Sequence, residues 1–287
     1  MTTSTVSAAV DVKAAGGLSA GAATVMQVSD DGRWVLFSSD AHDLVTGVGD
    51  ANPHLYLRDL VSATTTHVAA CTSFCWGARM TPTGSHVAYM QDDVAHVGQV
   101  YLWSRVGATS VLVSAALGGA GGTGASYLPS VSDDATKVAY SSSATNLLAG
   151  PVTGSHAYLR DLTAGTTVLL DRTPAGAVAD GDVFEVDLAG GGSRVALTSS
   201  ATDLTGAPVH SAFRQLYVRD LATGATRLTS RTAAGGPGNG YADTPSNTGS
   251  WGPALTGDGA LVAFASQSTD LVPAAPSWSN AYVAQAG

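Results

Sequence analysis

The chain has 287 residues, of which 12% are charged and 45% are hydrophobic, and its formal net charge is −9. This composition excludes a disordered chain, which would be richer in charge and poorer in apolar side chains. There are only two lysines, Lys13 and Lys137, so the acidic balance disfavours nucleic acid as a partner. No apolar run approaches the ~18 residues of a membrane-spanning helix, and we therefore expect no membrane insertion.

The N-terminus and the cysteines say little about the compartment. The first residues, MTTST, lack the basic and apolar segments of a secretory signal, so none is expected in this chain. The two cysteines, Cys71 and Cys75, leave three states open. They could be free thiols, form a small local disulfide, or bind zinc with His67 and His86 as the nearby further ligands.

A strand-like segment recurs five times along the chain. Its best copies run from Val28 to Ser39 (VSDDGRWVLFSS) and from Val131 to Ser142 (VSDDATKVAYSS). Weaker copies run from Met80 to Tyr89, from Leu188 to Leu197 and from Leu255 to Phe264. The aligned large side chains recur at a mean spacing of about 57 residues, a period typical of repeat architectures.

A second motif follows each copy of the first. It reads LYLRDL from Leu55, VYLWS from Val100, AYLRDL from Ala157, LYVRDL from Leu216 and AYVA from Ala281. Together with a preceding apolar stretch and a following Thr-rich stretch, the two motifs predict four short strands per repeat. Tight Asp/Gly turns separate the first strand from the second, and the third from the fourth.

Four-stranded units at a fixed period predict an all-β fold, a single five-bladed β-propeller domain spanning residues 1–287. The predicted blades cover about 23–70, 75–114, 126–171, 183–230 and 251–287. The fifth unit supplies only three strands. We expect residues 3–10 to add the fourth, with Ser4 to Ala9 pairing with Tyr282 and Val283, which would close the ring and remove an open sheet edge.

These motifs resemble the TolB-like and WD-repeat-like β-propeller repeats over nearly the whole chain. The resemblance implies a propeller fold and little about activity, because such blades serve many roles. It also implies a protein-interaction scaffold, and members often act outside the cytoplasm. An extracellular, cell-surface or virion location is thus favoured over a cytoplasmic one.

The loops predict where a partner would bind. The loops between second and third strands, and the connectors between blades, are long and all different, and in a propeller they share one face. Five aromatic residues in or beside them could form a rim for a protein partner or a sugar: Trp76, Tyr127, Tyr241, Trp251 and Trp278. An alternative is that several of them fill gaps between blades.

One loop is compared with a calcium site. The stretch from Asp50 to His54 (DANPH) resembles a calcium loop of related repeats, in which Asp50 and Asn52 would supply oxygen ligands. Pro53 replaces the usual glycine, and the equivalent loops of the other repeats lack the acids. An ordinary Asx turn is the alternative, and no other cofactor is expected.

Three patterns that look catalytic are disfavoured. GLSAG at Gly17 and GAGGTG at Gly119 lie in connectors that open no helix, so neither a nucleophile elbow nor a dinucleotide fingerprint is expected. A glycoside hydrolase needs two carboxyl groups at a fixed separation. Glu185, the single glutamate, lies with Asp187 on a predicted innermost strand and with Asp182 beside it, but the other innermost strands bring no acid.

The sequence therefore favours a non-enzymatic scaffold that binds a protein partner through its long-loop face. Such a scaffold could be part of a larger assembly such as a virion or a surface appendage. A glycan-binding module is the alternative, disfavoured because the loop aromatics are not expected to repeat in register. A glycoside hydrolase is the least favoured.

Overall fold

The chain forms five antiparallel sheets, the blades of a β-propeller. They are seen in a computed structural model that describes residues 9–13, 16–48, 52–71, 77–242, 252–275 and 278–287. The predicted all-β class and the five blades are confirmed. Within the described ranges, no helix is long and apolar enough to cross a membrane.

The strands follow chain order within every blade. Blade 1 contains β1 (Ala23–Val28), β2 (Trp34–Ser39), β3 (His54–Asp59) and β4 (Thr64–Ala70). Blade 2 contains β5 (Arg79–Met80), β6 (His86–Asp92), β7 (Gly98–Ser104) and β8 (Thr109–Leu112). Blade 3 contains β9 (Ser126–Val131), β10 (Lys137–Ser142), β11 (His156–Asp161) and β12 (Thr166–Leu169). Blade 4 contains β13 (Val183–Leu188), β14 (Arg194–Ser199), β15 (Gln215–Asp220) and β16 (Thr226–Leu228). Blade 5 contains β17 (Ala254–Leu255), β18 (Leu261–Ser266) and β19 (Asn280–Gln285).

Each blade places a large side chain of its second strand opposite a tyrosine of its third. The ring centroids of Phe37 and Tyr56 are 5.5 Å apart, and those of Tyr140 and Tyr158 are 5.9 Å apart. Tyr89 with Tyr101 and Phe264 with Tyr282 repeat the arrangement. Directly opposed aromatic side chains stabilise an antiparallel pair and exclude water from its face. The repeated Val-Ala-Tyr and Tyr-Leu-Arg-Asp motifs are therefore the two halves of one packing unit.

The aromatic face of a blade packs against the blade that precedes it. Tyr140 and Tyr158 of blade 3 share one hydrophobic cluster with Ala88, Val100 and Leu102 of blade 2. We call the latter three the forward positions, because they point toward the next blade. The equivalents are Leu36, Leu55 and Leu57 in blade 1, Ala139, Ala157 and Leu159 in blade 3, and Ala196, Leu216 and Val218 in blade 4; all are buried.

Blade 5 differs from the others at these positions. Its forward residues are Ala263, Ala281 and Val283, and all three are exposed, Val283 to 68%. Phe37 and Tyr56 of blade 1 are covered by side chains such as Val10, and among the described residues their cluster contains none from blade 5. The expected fourth strand of blade 5, residues 3–10, lies outside the described residues up to residue 8.

The short turns join successive blades. Gly84, in the turn between β5 and β6, has φ +65° and lies directly under the ring of Trp34, which leaves no room for a Cβ. The Arg105 guanidinium lies 4.0 Å from the same ring and donates to the Gly84 carbonyl. A glycine at this turn therefore serves both the positive φ and the close approach of the preceding blade.

Candidate functional site

The two ends of the strands differ in how they are built. The turns from first to second strand and from third to fourth strand are four or five residues long. Turns of successive blades hydrogen-bond to one another, as in Asp30 N–H to Pro82 O, Asp133 N–H to Gly190 O and Gly191 N–H to Gly257 O. The opposite end carries the long loops and the blade connectors, and we call it the long-loop face.

On the long-loop face, each connector binds the loop of the blade it enters. The Asp203 carboxylate accepts the Asp180 N–H at 3.1 Å, and Asp180 in turn accepts the Thr202 N–H at 2.7 Å. Equivalent contacts occur in three other blades, through Asp43, Asn146 and Asp270. This set of contacts braces the long-loop face within single blades, whereas the short turns join one blade to the next.

Three of the five predicted rim aromatics lie among the described residues. The Tyr127 hydroxyl lies 2.6 Å from the Ser155 hydroxyl, which donates to the Val183 carbonyl of the next blade. Tyr241 packs edge-on against Phe213, with ring centroids 5.0 Å apart. Trp278 is 77% exposed. The structure therefore fixes Tyr127 and Tyr241 into half-buried contacts and leaves Trp278 projecting from its loop; Trp76 and Trp251 lie outside the described residues.

Phe184, Phe213 and Arg214 join this site and were missed from the sequence. The Arg214 guanidinium lies 4.2 Å from the centroid of the Phe184 ring and 5.2 Å from that of Tyr241, within the range of a cation–π interaction. Phe184 is the second residue of the innermost strand β13, while Phe213 and Arg214 end the loop before β15. They form one half-buried group with Tyr241 between blades 4 and 5, which we call the aromatic group.

The expectation that the loop aromatics do not repeat in register fails for three of the five, Trp76, Tyr127 and Trp251, and stands for Tyr241 and Trp278. Tyr127 lies four residues before Val131, and Phe184 lies four residues before Leu188, the equivalent ends of their innermost strands. In sequence, Trp76 and Trp251 precede Met80 and Leu255 by the same four residues. Only blade 1 departs, with Thr24. Counting backward from the strand end, rather than comparing loops of unequal length, would have found this repeat.

Asp187 of the proposed acid pair links three blades. Its Oδ1 accepts the Ser130 hydroxyl of blade 3 at 2.9 Å, and its Oδ2 accepts the Leu255 N–H of blade 5 at 2.7 Å. Burial is the main reason that the pKa of Asp187 rises to about 6, and these hydrogen bonds limit the rise. Asp182 accepts the Ser155 N–H at 2.9 Å. Both carboxylates thus bind backbone or hydroxyl groups of neighbouring blades.

The same linkage recurs at the equivalent position of other innermost strands. The Gln27 side chain accepts the Met80 N–H and donates to the Met80 carbonyl, both at 2.8 Å. The Ser130 hydroxyl accepts the Leu188 N–H at 2.9 Å. Asp187 is therefore one member of a set of inter-blade clamps, an arrangement that accounts for a buried acid without catalysis.

A buried histidine and aspartate also resemble catalytic machinery. His156 Nδ1 lies 2.6 Å from Asp171 Oδ2, and His156 Nε2 lies 2.8 Å from the Thr153 carbonyl. Burial tends to lower the pKa of His156, but the hydrogen bond and charge of Asp171 outweigh it and raise the pKa. Since both ring nitrogens face acceptors, the geometry fits an imidazolium.

Blades 2 and 4 show what this pair does. In blade 2, Gln99 accepts the Ser114 hydroxyl at 2.7 Å, and Ser114 accepts the Val100 N–H. In blade 4, Gln215 and Ser230 make the same two contacts. In blade 3 the Ala157 N–H donates to Asp171. A side chain at or next to the start of the third strand is pinned to the next connector in all three blades, so the histidine pair is a structural variant of a glutamine–serine pair.

The metal and cysteine predictions have different outcomes. Asp50 lies outside the described residues, and Asn52 lies just before β3. Among the described residues, no group of three or more His, Cys, Asp or Glu could hold a metal ion. Cys71 is buried and disulfide-bonded, and the one other cysteine, Cys75, lies outside the described residues. His67 contacts His54 at 3.0 Å, whereas His86 contacts Ser85 at 3.0 Å.

Comparison with known proteins supports the fold. No protein-family model matches the sequence, and no curated protein matches it. The structure is similar to TolB from Acinetobacter baumannii, with a TM-score of 0.52 and 13% identity over 92% of this chain and 54% of that one. A putative TolB from Agrobacterium tumefaciens has a TM-score of 0.52 and 17% identity, over 88% of this chain and 73% of that one.

A puromycin-hydrolysing peptidase of Mycobacterium tuberculosis has a TM-score of 0.50 with 15% identity, over 89% of this chain and 37% of that one. The chain thus spans about half of Acinetobacter TolB and little more than a third of the peptidase. The fold belongs to the class of β-propellers found in TolB and in peptidases, and such folds serve unrelated activities.

Proposed function

We propose that this propeller is a non-catalytic scaffold that binds a protein partner through its long-loop face. The observation that supports this proposal is the division between its two ends. The short-turn end consists of turns of nearly equal length that join blade to blade, whereas the long-loop face carries segments of unequal length, on which Leu117 and Trp278 are exposed. Variable loops on a rigid scaffold are the usual place for recognition.

A non-catalytic role is supported by how the acids and the buried histidine are used. Asp187 clamps three blades, Asp182 binds a backbone N–H, and His156 with Asp171 pins a strand to its connector. A glycosidase would need a carboxyl pair aimed at an open cleft, one as acid and one as base or nucleophile. The proposal therefore assigns these groups to the fold.

Capture of partners from the native source tests the proposal. The tagged chain is compared with Trp278→Ser/Leu117→Ser, on the long-loop face, and with Val61→Ser/Val106→Ser, in short turns. The four side chains are similarly exposed, at 77%, 72%, 75% and 81%. We expect the wild type and the short-turn variant to recover the same polypeptides in a fixed ratio. The long-loop variant should fail to recover them.

Other results would contradict the proposal in different ways. Loss of the polypeptides with the short-turn variant alone would place the interface at the opposite end. Retention on cell-wall or capsular polysaccharide, with no polypeptide bound, would favour the glycan-binding alternative. Sedimentation of the captured material as a large particle would support a place in an assembly such as a virion or surface appendage.

A further inference from the structure

The short turns carry none of the net charge of the chain. The short-turn end, residues 29–33, 58–64, 81–86, 104–109, 132–137, 160–166, 189–194, 219–227 and 256–261, carries eight acidic and eight basic side chains. The chain as a whole has 22 acidic and 13 basic side chains, so fourteen acidic and five basic side chains lie outside the short turns. The short-turn end is thus neutral, and the strands, connectors and long loops hold the full charge of −9.

The long-loop face combines this charge with apolar groups. Asp180 and Asp182 are exposed beside the half-buried Phe184, and Asp203 lies against Asp180. The Thr202 hydroxyl is the main cause that holds the pKa of Asp180 below its ordinary value, so its charge persists at neutral pH. Trp278, Val272 and Leu117 are exposed on the same face. Exposed apolar side chains bordered by polar ones mark a protein interaction site.

We infer that the long-loop face binds a cationic polypeptide, a partner segment rich in lysine or arginine whose apolar side chains contact the aromatic group. The inference rests on the proposed function and names the chemistry of the partner. Complementary charge selects the partner and speeds encounter, whereas the buried apolar contacts provide most of the affinity. An acidic partner would instead meet the exposed carboxylates of Asp180 and Asp182.

The carboxylates are also held in place. Asp180, Asp182 and Asp203 each accept a backbone N–H of a neighbouring loop, so their positions do not depend on the partner. Groups fixed before binding lose less conformational entropy when a ligand docks.

A labelled peptide in which lysine alternates with leucine and tryptophan serves as the probe. The same peptide with glutamate in place of lysine is its control. Binding is measured by fluorescence anisotropy at low and at physiological salt, with the full chain and two triple variants. One is Asp180→Asn/Asp182→Asn/Asp203→Asn on the long-loop face. The other is Asp31→Asn/Asp134→Asn/Asp258→Asn in three equivalent short turns.

The two triple variants change the net charge equally, and asparagine keeps an acceptor oxygen at each position. We expect the long-loop triple variant to weaken binding of the lysine peptide about tenfold and the short-turn triple variant to change it by less than about twofold. Higher salt should weaken binding to the wild type and to both variants. Equal effects of the two triples would overturn the inference, as would equal binding of the two peptides. If either result accompanied a loss of partner capture with the Trp278→Ser/Leu117→Ser variant, only the inferred chemistry would fail and the proposed function would stand.

Discussion

Asp187 shows how a single side chain enclosed between blades makes the stability of this propeller depend on pH. Its carboxyl binds the proton more tightly in the folded chain, where burial raises the pKa from 3.8 to about 6. The native state therefore holds more protons than the unfolded one between these two pH values. Folding free energy becomes less favourable as pH rises through this interval, by about 3 kcal/mol for this group.

The Asp187→Asn variant tests this pH dependence. Asparagine keeps an acceptor for the Leu255 N–H but cannot ionise, so we expect its stability relative to wild type to increase by about 2–3 kcal/mol between pH ~4 and pH ~7. Urea unfolding across this range measures the difference, with exposed Asp182→Asn as the control. A difference that does not vary with pH would contradict a raised pKa.

His156 and Asp171 give a second prediction at the residue scale. His156→Gln leaves the buried Asp171 carboxylate without its charged partner and should cost about 3 kcal/mol. His156→Gln/Asp171→Ser restores the glutamine–serine pair of blades 2 and 4 and should come within about 1 kcal/mol of the wild type. Chemical denaturation of the wild type, both single variants and the double variant measures the coupling. Additive losses would show that the two pairs are not equivalent.

At the scale of the elements, blade 5 has three described strands, and we propose that the N-terminal residues supply its fourth. Along its last strand, β19, half-buried and exposed residues alternate. The described chain begins at residue 9, just before a connector in which Val12 and Leu18 form an isolated antiparallel β-bridge. The equivalent bridges Ala115–Gly121, Arg172–Val178 and Arg231–Pro237 each follow the fourth strand of a blade. By this equivalence we propose that residues 3–8 form the fourth strand of blade 5.

A proline substitution tests that strand. Val6→Pro removes a backbone N–H and fixes φ, so it should weaken strand pairing, lower the Tm by several degrees and increase aggregation. Thr2→Pro, outside the proposed strand, should melt like the wild type. Deletion of residues 3–10 extends the test, since an intact melting temperature after deletion would argue against the shared blade.

For the whole molecule, the forward face of blade 5 differs from those of the other blades. Val218 and Val283 occupy the same forward position in blades 4 and 5, yet Val218 is 2% exposed and Val283 is 68% exposed. Val218→Ser should cost about 3 kcal/mol, because it removes buried apolar groups and buries a hydroxyl. Val283→Ser should change stability by less than about 0.5 kcal/mol.

Unfolding free energies of the two variants, measured side by side, test this difference. Equal and large losses would mean that the forward face of blade 5 is buried in solution, as in the other four blades. If Val283→Ser leaves the unfolding free energy unchanged while Val218→Ser lowers it, the forward face of blade 5 is exposed in solution as it is in the structure.

The sequence by itself determined the class, the number of blades and the strands of each repeat, because these depend on local patterns that recur. In the structure the two motifs are neighbouring strands, in which Val138, Ala139 and Tyr140 pair with Arg160, Leu159 and Tyr158. The sequence also placed Tyr127 and Tyr241 beside the long-loop face. Its three open states for the cysteines were not decided by spacing, because a disulfide depends on how the loop folds.

Only the tertiary structure decided how side chains from different blades meet. The contact of Arg214 with Phe184 and Tyr241, and the hydrogen bonds of Asp187 to blades 3 and 5, join residues far apart in the chain. No local pattern encodes such contacts, because they arise from the stacking of whole sheets. The same is true of charge: the sequence gives the total of −9, and only the topology gathers the turns with balanced charge at one end of the molecule.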